Sequence, residues 1–246
     1  MNCLQNIKST SVPHDVFVRM TQLYQKMGMN YHYQSLFSDK IDYYKHKTAE
    51  DNAKEYFKLF SNSFKSINPS RMQSLLLKSS VANNKSEQLF KNILMVFKKI
   101  HYDSYDHFQL TLVEIRELVS LLFKDVIDTP RFRKLTKKKS LLKSNSTSLR
   151  ESLEQYLTQI NHIDHEKSIE PFFLYVNFMV DFIQMKVFDF DYNEQVGILL
   201  FYILLIEKGF DVCHYIGFFP KLITVSESLF GLIAKSSFQW EEGLSD

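Results

Sequence analysis

The chain has 246 residues, 45% of them hydrophobic and 24% charged, with a formal net charge of +2. Six glycines and five prolines beside 22 phenylalanines and 13 tyrosines exclude a disordered or low-complexity chain and point to a helix-rich globular protein long enough to bury a sizeable core. The near-neutral balance excludes strong whole-protein attraction to nucleic acid or membrane. Two cysteines, Cys3 and Cys213, build no disulfide framework, and with no apolar leader at the N-terminus the expected location is a reducing cytoplasm.

The first dozen residues, ending at Val12-Pro13, carry no periodicity and read as a loose arm. Val16, Met20, Leu23, Tyr24 and Met27 recur at helical spacing until Gly28 offers a stop. Tyr31 to Tyr44 reads as a second, more aromatic helix. Thr48 with Asp51 three residues on resembles a capping signal for a third helix with Tyr56, Phe57, Phe60 and Phe64 on its face, ended by Asn68-Pro69-Ser70. A short helix over Arg71 to Ser80 closes in Asn83-Asn84, and Lys85 to His101 carries the inward stripe Leu89, Ile93, Val96, Phe97 and Ile100.

After a turn over Asp103 to Phe108, Thr111 and Glu114 form a capping box before Ile115, Leu118, Val119, Leu122 and Phe123. Arg131 to Lys143 holds Arg131, Arg133, Lys134, Lys137, Lys138, Lys139 and Lys143 without an acidic residue. Only Phe132 interleaves these charges, so a stacking platform for single-stranded nucleic acid is not expected. Ser148 with Glu151 caps a helix through Ile160. The following Asn161-His162-Ile163-Asp164-His165-Glu166 contains metal-ligating types, but in a spacing better suited to a polar loop between helices.

Pro171 opens a helix whose members Phe172, Leu174, Val176, Phe178, Val180 and Phe182 are apolar nearly all round, the pattern of a centrally buried helix. A second such helix runs from Val196 to Ile206 and stops at Glu207-Lys208-Gly209. It is shorter than the about 20 apolar residues a bilayer needs. Its start, Asp191-Tyr192-Asn193-Glu194-Gln195, is polar, and the positive end of a helix favours anions. Asp191 and Asn193 are equally well suited to plain helix capping. Beyond Gly209, a last helix is expected through Leu222, Val225, Leu229 and Ile233.

Set against His-Pro-Phe-x-Asp/Glu-Gly-Asn-Gly-Arg-x-Gly-Arg-Leu-Leu, this start resembles the Fic family, whose members commonly transfer AMP from ATP to protein hydroxyls. Asp191, Asn193, Gly197, Leu199 and Leu200 match in register. Val187 stands where the family has its histidine, Tyr192 and Glu194 at the two glycines, and Gln195 and Ile198 at the two arginines. In an active relative the histidine takes the proton of the target hydroxyl, the acidic residue binds Mg²⁺, and the asparagine with the helix start holds phosphates. The resemblance therefore implies a Fic-type scaffold with its reaction centre erased, leaving Asp191, Asn193 and Gly197 as remnants of a nucleotide site.

Two further segments carry the resemblance. Family members often hold Ser/Thr-x-x-x-Glu-Gly/Asn in an inhibitory helix, matched near 71–84 by Ser79 and Asn84 but with Asn83 at the glutamate. A Ser-Asn turn between helices accounts for the same residues. The basic run would be a β-hairpin flap whose edge can pair with a target, and Arg133, Lys134, Lys137, Lys138 and Lys139 on it would suit an acidic protein partner; a solvated hairpin protected by lysines is the simpler alternative. The tail Ala234 to Gly243 resembles the family's Trp-x-Glu-Gly turn.

The expected architecture is all-α: a Fic-like bundle around two central buried helices, with a small flap. Residues 1–104 form an N-terminal helical region and 105–246 the core. The expected function is a non-catalytic protein-interaction or regulatory module without cofactor, metal, membrane or specific nucleic acid. The alternative is an adenylyltransferase or other phosphate-group transferase with a rewired site, using ATP, Mg²⁺ and Asp189 or Asp191. An open polar pocket at the start of the Asn193 helix would favour that alternative, and a plug of Tyr192 and Phe190 would oppose it.

Overall fold

The computed structural model of the protein describes residues 11–77, 80–102, 108–128, 130–134 and 148–241. Among them it contains ten α-helices: α1 His14–Phe37, α2 Ile41–Lys58, α3 Pro69–Leu75, α4 Lys85–Tyr102, α5 Leu112–Leu122, α6 Leu149–Glu166, α7 Pro171–Met185, α8 Asn193–Glu207, α9 Phe218–Ile223 and α10 Ser226–Glu241. The chain is all-α, and no described helix is long and apolar enough to cross a membrane.

The local signals act as the sequence reads. Thr111 Oγ1 accepts the Glu114 N–H at 3.3 Å and Ser148 Oγ accepts the Glu151 N–H at 3.2 Å, satisfying donors that the first turns of α5 and α6 leave free. Pro171 occupies the first turn of α7, with Glu170 accepting the Phe172 and Phe173 N–H groups. Gly209, at φ +80°, closes α8 in the left-handed region.

Because α8 is apolar on every side, it is stable only if surrounded, and Val196 to Leu205 are all buried. It lies against α7, and α2 runs along α4 with α9 packed on α2. Tyr56 joins these layers: its ring meets Phe97 at 5.6 Å and Phe219 at 4.9 Å edge-on, and its hydroxyl donates to the Gln195 carbonyl at 2.9 Å. Gly197 sets the approach of α7 and α8, since a Cβ there would lie 2.7 Å from Ile183 Cγ1 and 3.3 Å from Phe182 Cδ1.

Several expected boundaries differ. Helix α1 passes through Gly28 without stopping, because one glycine costs only about 1 kcal/mol against alanine and the stripe Met20, Leu23, Met27 on the preceding turns is packed on the core. Thr48 and Asp51 cap nothing. Both lie inside α2, where Thr48 is buried in one face with Ala49, Asn52, Ala53, Tyr56 and Phe57. Asn68 does not end that helix, which stops at Lys58; its Oδ1 accepts the Ser70 N–H at 2.9 Å and starts α3. The expected polar loop Asn161 to Glu166 is the last part of α6, which ends at Lys167 with φ 53°. The last helix is broken at Thr224-Val225 into α9 and α10, and α10 continues through residues 234–241, where a turn was expected. No glycine or proline interrupts that stretch.

The expected β-hairpin over 131–143 falls largely outside the described residues, as do Lys137, Lys138 and Lys139. What is described is one antiparallel bridge between Phe132 and Phe188. The Arg133 N–H donates to the Val187 carbonyl at 3.0 Å and the Asp189 N–H to the Arg131 carbonyl at 2.8 Å.

Candidate functional site

The loop joining α7 to α8 turns sharply at Lys186, which closes α7 in the left-handed conformation with φ 45°. It then buries Val187 and Phe188 against the bundle. Val187, which the resemblance sets against a histidine, is fully buried and carries no proton-transfer group. The exposed carboxylates nearby are Asp189, Asp191 and Glu194.

Asn193, expected to meet phosphate or cap α8, spends its carboxamide on the preceding loop and not on the helix start. Asn193 is 5% exposed, and its carboxamide turns back into the loop. Oδ1 accepts the Phe188 N–H at 2.9 Å, and Nδ2 donates to the carbonyls of Phe188 at 3.0 Å and Phe190 at 2.7 Å. Three of its four hydrogen-bonding positions serve this turn. The residue preceding α8, Tyr192, makes no side-chain cap.

Around that turn the side chains close into a plug of rings. Tyr192 stacks on Phe123 at 5.3 Å and 24°, and meets Phe60 at 5.5 Å, Phe64 at 5.8 Å and Phe190 at 5.6 Å. Phe190 in turn meets Phe123 at 5.2 Å and Phe188 at 5.5 Å, and Phe188 stacks on Phe132 at 5.4 Å. Such contacts add about 0.5–1.5 kcal/mol each beyond the area they bury. Of the other positions in the motif-like stretch, Asp191 and Glu194 are exposed, while Gln195, Gly197 and Ile198 face inward or bind within the protein. Gln195 Nε2 donates to the Leu59 carbonyl at 2.8 Å, Ile198 is fully buried, and Gly197 lies against Ile183. A polar cavity of about 530 Å³ is lined by Phe123 together with Lys85, Ser120, Lys124, Asp125 and Asp128, but not by Asp191 or Asn193.

Arg133 is likewise not a free surface cation. It is half-buried, and its guanidinium donates to the Met185 carbonyl at 2.8 Å, tying the basic segment to the end of α7; Lys134 is exposed.

The segment near 71–84 is built as a cap. Asn84 Oδ1 accepts the Glu87 N–H at 3.0 Å, capping the helix, and Glu87 Oε2 reaches back one residue further to accept the Asn83 N–H at 2.8 Å, a variant of the capping box. Arg71 completes it, reaching Glu87 Oε2 at 2.7 Å, the Val81 carbonyl at 2.6 Å and Ser80 Oγ at 3.2 Å. Ser79 lies outside the described residues. Asn83 and Asn84 thus start α4, and Glu87 is the residue that sequence reasoning passed over, although Asn-x-x-Glu before an apolar run carried the signal.

The Arg71 guanidinium, with help from the Asn83 N–H, holds the Glu87 carboxyl below its ordinary range. A depressed carboxyl contributes stability that is present above its unfolded value of about 4.3 and is lost as pH falls through the folded value. Thermal unfolding followed between pH 7 and pH 3 is expected to show this acid loss in the wild type and a smaller one in Glu87→Gln. Equal slopes would mean that the Arg71–Glu87 pair does not carry the acid loss.

The apparent metal set of α6 is also dispersed. His162 pairs with Glu166 at 3.3 Å along the helix, while Asp164 binds Lys208 at 2.6 Å. Comparison with protein-family models and with curated proteins gave no match to this chain.

Proposed function

We propose that the chain is a degenerate Fic-type scaffold retained as a non-catalytic protein-interaction or regulatory module. The observation that carries the non-catalytic part is the occupied start of α8: the Asn193 carboxamide is spent on the 188–190 turn, and Tyr192 fills the space beside it with packed rings. Phosphoryl or nucleotidyl transfer depends on positioning and on cations that offset phosphate charge. The motif positions offer Val187, Gln195 and Ile198 in place of a base and two cations, and Glu194 adds negative charge at the helix start.

The Fic part of the reading rests on Asp191, Asn193, Gly197, Leu199 and Leu200 standing in register with the family motif. It is supported by the central helix pair α7–α8 and by the pairing of residues 131–133, the start of the basic segment, with the loop that connects those helices. In this reading the exposed Lys134 and the lysines that follow it recruit an acidic segment of a partner protein.

Calorimetric titration with MgATP tests the choice between module and rewired transferase. No heat of binding at millimolar MgATP is expected, in the wild type or in Asp191→Ala, an exposed position whose truncation leaves the buried turn intact. Saturable binding that Asp191→Ala abolishes would establish the rewired transferase with Asp191 as its Mg²⁺ ligand.

A further inference from the structure

A second polar construction, unrelated to the family motif, crosses the bundle where α8 ends. Asn52 of α2 is fully buried; its Oδ1 accepts the Phe219 N–H at 3.1 Å and its Nδ2 donates to the Tyr202 hydroxyl at 2.9 Å. That hydroxyl lies 3.1 Å from the Cys213 carbonyl and 3.1 Å from His101 Nε2. His101, 2% exposed on α4, presents its other nitrogen, Nδ1, to Nδ1 of the half-buried His214 at 3.0 Å. Four hydrogen-bonded side chains thus join α2, α4, α8 and the 3₁₀ turn Asp211–His214, with Phe219 bringing in α9.

Proton counting fixes what this chain tolerates. Tyr202 has one hydroxyl proton and each neutral imidazole has one N–H. If Tyr202 donates to Cys213, His101 donates from Nε2 and accepts at Nδ1 from His214; if Tyr202 donates to His101, the order along the chain reverses. Either way a single proton lies between the two Nδ1 atoms. One additional proton can sit on the outer ring of His214 with the bond between the two Nδ1 atoms kept. A second would set two N–H groups head to head.

The surroundings do not favour charge on the inner ring. Burial, then the neighbouring His214 and Lys45 of α2, push the His101 imidazole down to about 3. Burial and Asp211 push the Cys213 thiol up to about 12, so it stays neutral. The Tyr202 hydroxyl is likewise raised, chiefly by burial. The Asp211 carboxylate receives Gln34 Nε2 of α1 at 2.7 Å, and Glu50 of α2 pairs with His46 at 3.0 Å. Among the described residues no carboxylate hydrogen-bonds His101.

We propose that the His101–His214 pair is an acid-operated latch that clasps residues 210–225 onto α2 and α4 at neutral pH and lets that segment open as protons are taken up. The segment is hinged at Gly209, whose left-handed φ of +80° marks the end of α8. Its opening also loosens α1, which is attached through Gln34 to Asp211 and through the Tyr24 ring to Phe210 at 6.3 Å. The closed pair holds at most one extra proton and the open pair two. Each pH unit below the free imidazole value of about 6.5 therefore raises the open population roughly tenfold.

Amide hydrogen–deuterium exchange of the full chain, corrected for the intrinsic chemical rate, tests this between pH 7.5 and pH 5.0. Exchange over 210–225 is expected to rise roughly tenfold per unit below about pH 6.5, while α7 stays protected. His101→Gln can accept from His214 and donate to Tyr202 without titrating, and its 210–225 exchange is expected to be flat with pH. Unchanged wild-type protection at pH 5.0 overturns the latch, as does an equal acid response in His101→Gln. If that variant does not fold, the wild type decides alone: an acid response that reaches α7 to the same extent is global unfolding and also overturns it.

Discussion

Gly197→Leu is expected to lower stability by about 3 kcal/mol, which for a chain of this size moves the thermal midpoint down by roughly 6–12 °C. The reason is the approach of α7 to α8. A Cβ at position 197 would stand 2.7 Å from Ile183 Cγ1, an atom in the middle of a buried side chain that cannot swing aside, and 3.3 Å from Phe182 Cδ1. Helix α8 is enclosed on every side, so it cannot relieve that contact by moving towards solvent. Gly197→Ala separates the two effects of glycine. In an exposed helix alanine would gain about 1 kcal/mol, whereas here overpacking cancels or exceeds the gain. Ile183→Ala removes the obstructing atom, so on that background Gly197→Ala is expected to be neutral or stabilising. Urea unfolding of the four proteins in the cycle reads this coupling, and simple additivity would mean that the close approach does not limit the packing.

Gly197 also shows what the sequence could and could not disclose. That the α7 and α8 segments form the centre was legible, because their apolar residues leave no face for water. The caps at Thr111, Ser148 and Gly209 were legible because each is a local arrangement of three or four residues. The purpose of Gly197 was not, since its cause is Ile183 on another helix. Thr48 and Asp51 misled for the same reason: a valid local capping pattern lost to a longer helix that begins at Ile41 and buries Thr48 on its inner face. The resemblance placed Asn193 at a phosphate, yet its direction was set by the carbonyls of a turn that forms only when Phe188 and Phe190 pack. Residues joined across long stretches of chain were invisible, as with Arg71 and Glu87, 16 positions apart, and His101 and His214, 113 apart.

The second large effect is expected at Asn193 itself. Asn193→Ala strands the Phe188 N–H and removes the donors to the Phe188 and Phe190 carbonyls, at a cost on the order of 3 kcal/mol. Asn193→Asp is the more discriminating change, because it keeps the shape and alters only who donates. An aspartate can accept the Phe188 N–H at Oδ1, but its second oxygen would face two carbonyls with no proton to offer. Burial and those carbonyls would raise its pKa above the unfolded value of about 3.9, so the folded state would bind more protons than the unfolded one. Stability of Asn193→Asp relative to wild type is therefore expected to be greatest at low pH, where the protonated acid donates one hydrogen bond, and to fall as pH rises through the raised value. Chemical denaturation at pH 5 and pH 8 reads the sign. If the aspartate variant matches the wild type at pH 8, the carboxamide is not committed to the turn, and the start of α8 is open to a phosphate after all. A loss that grows with pH means that the group which could have held a nucleotide is instead the keystone of the loop that fills its place.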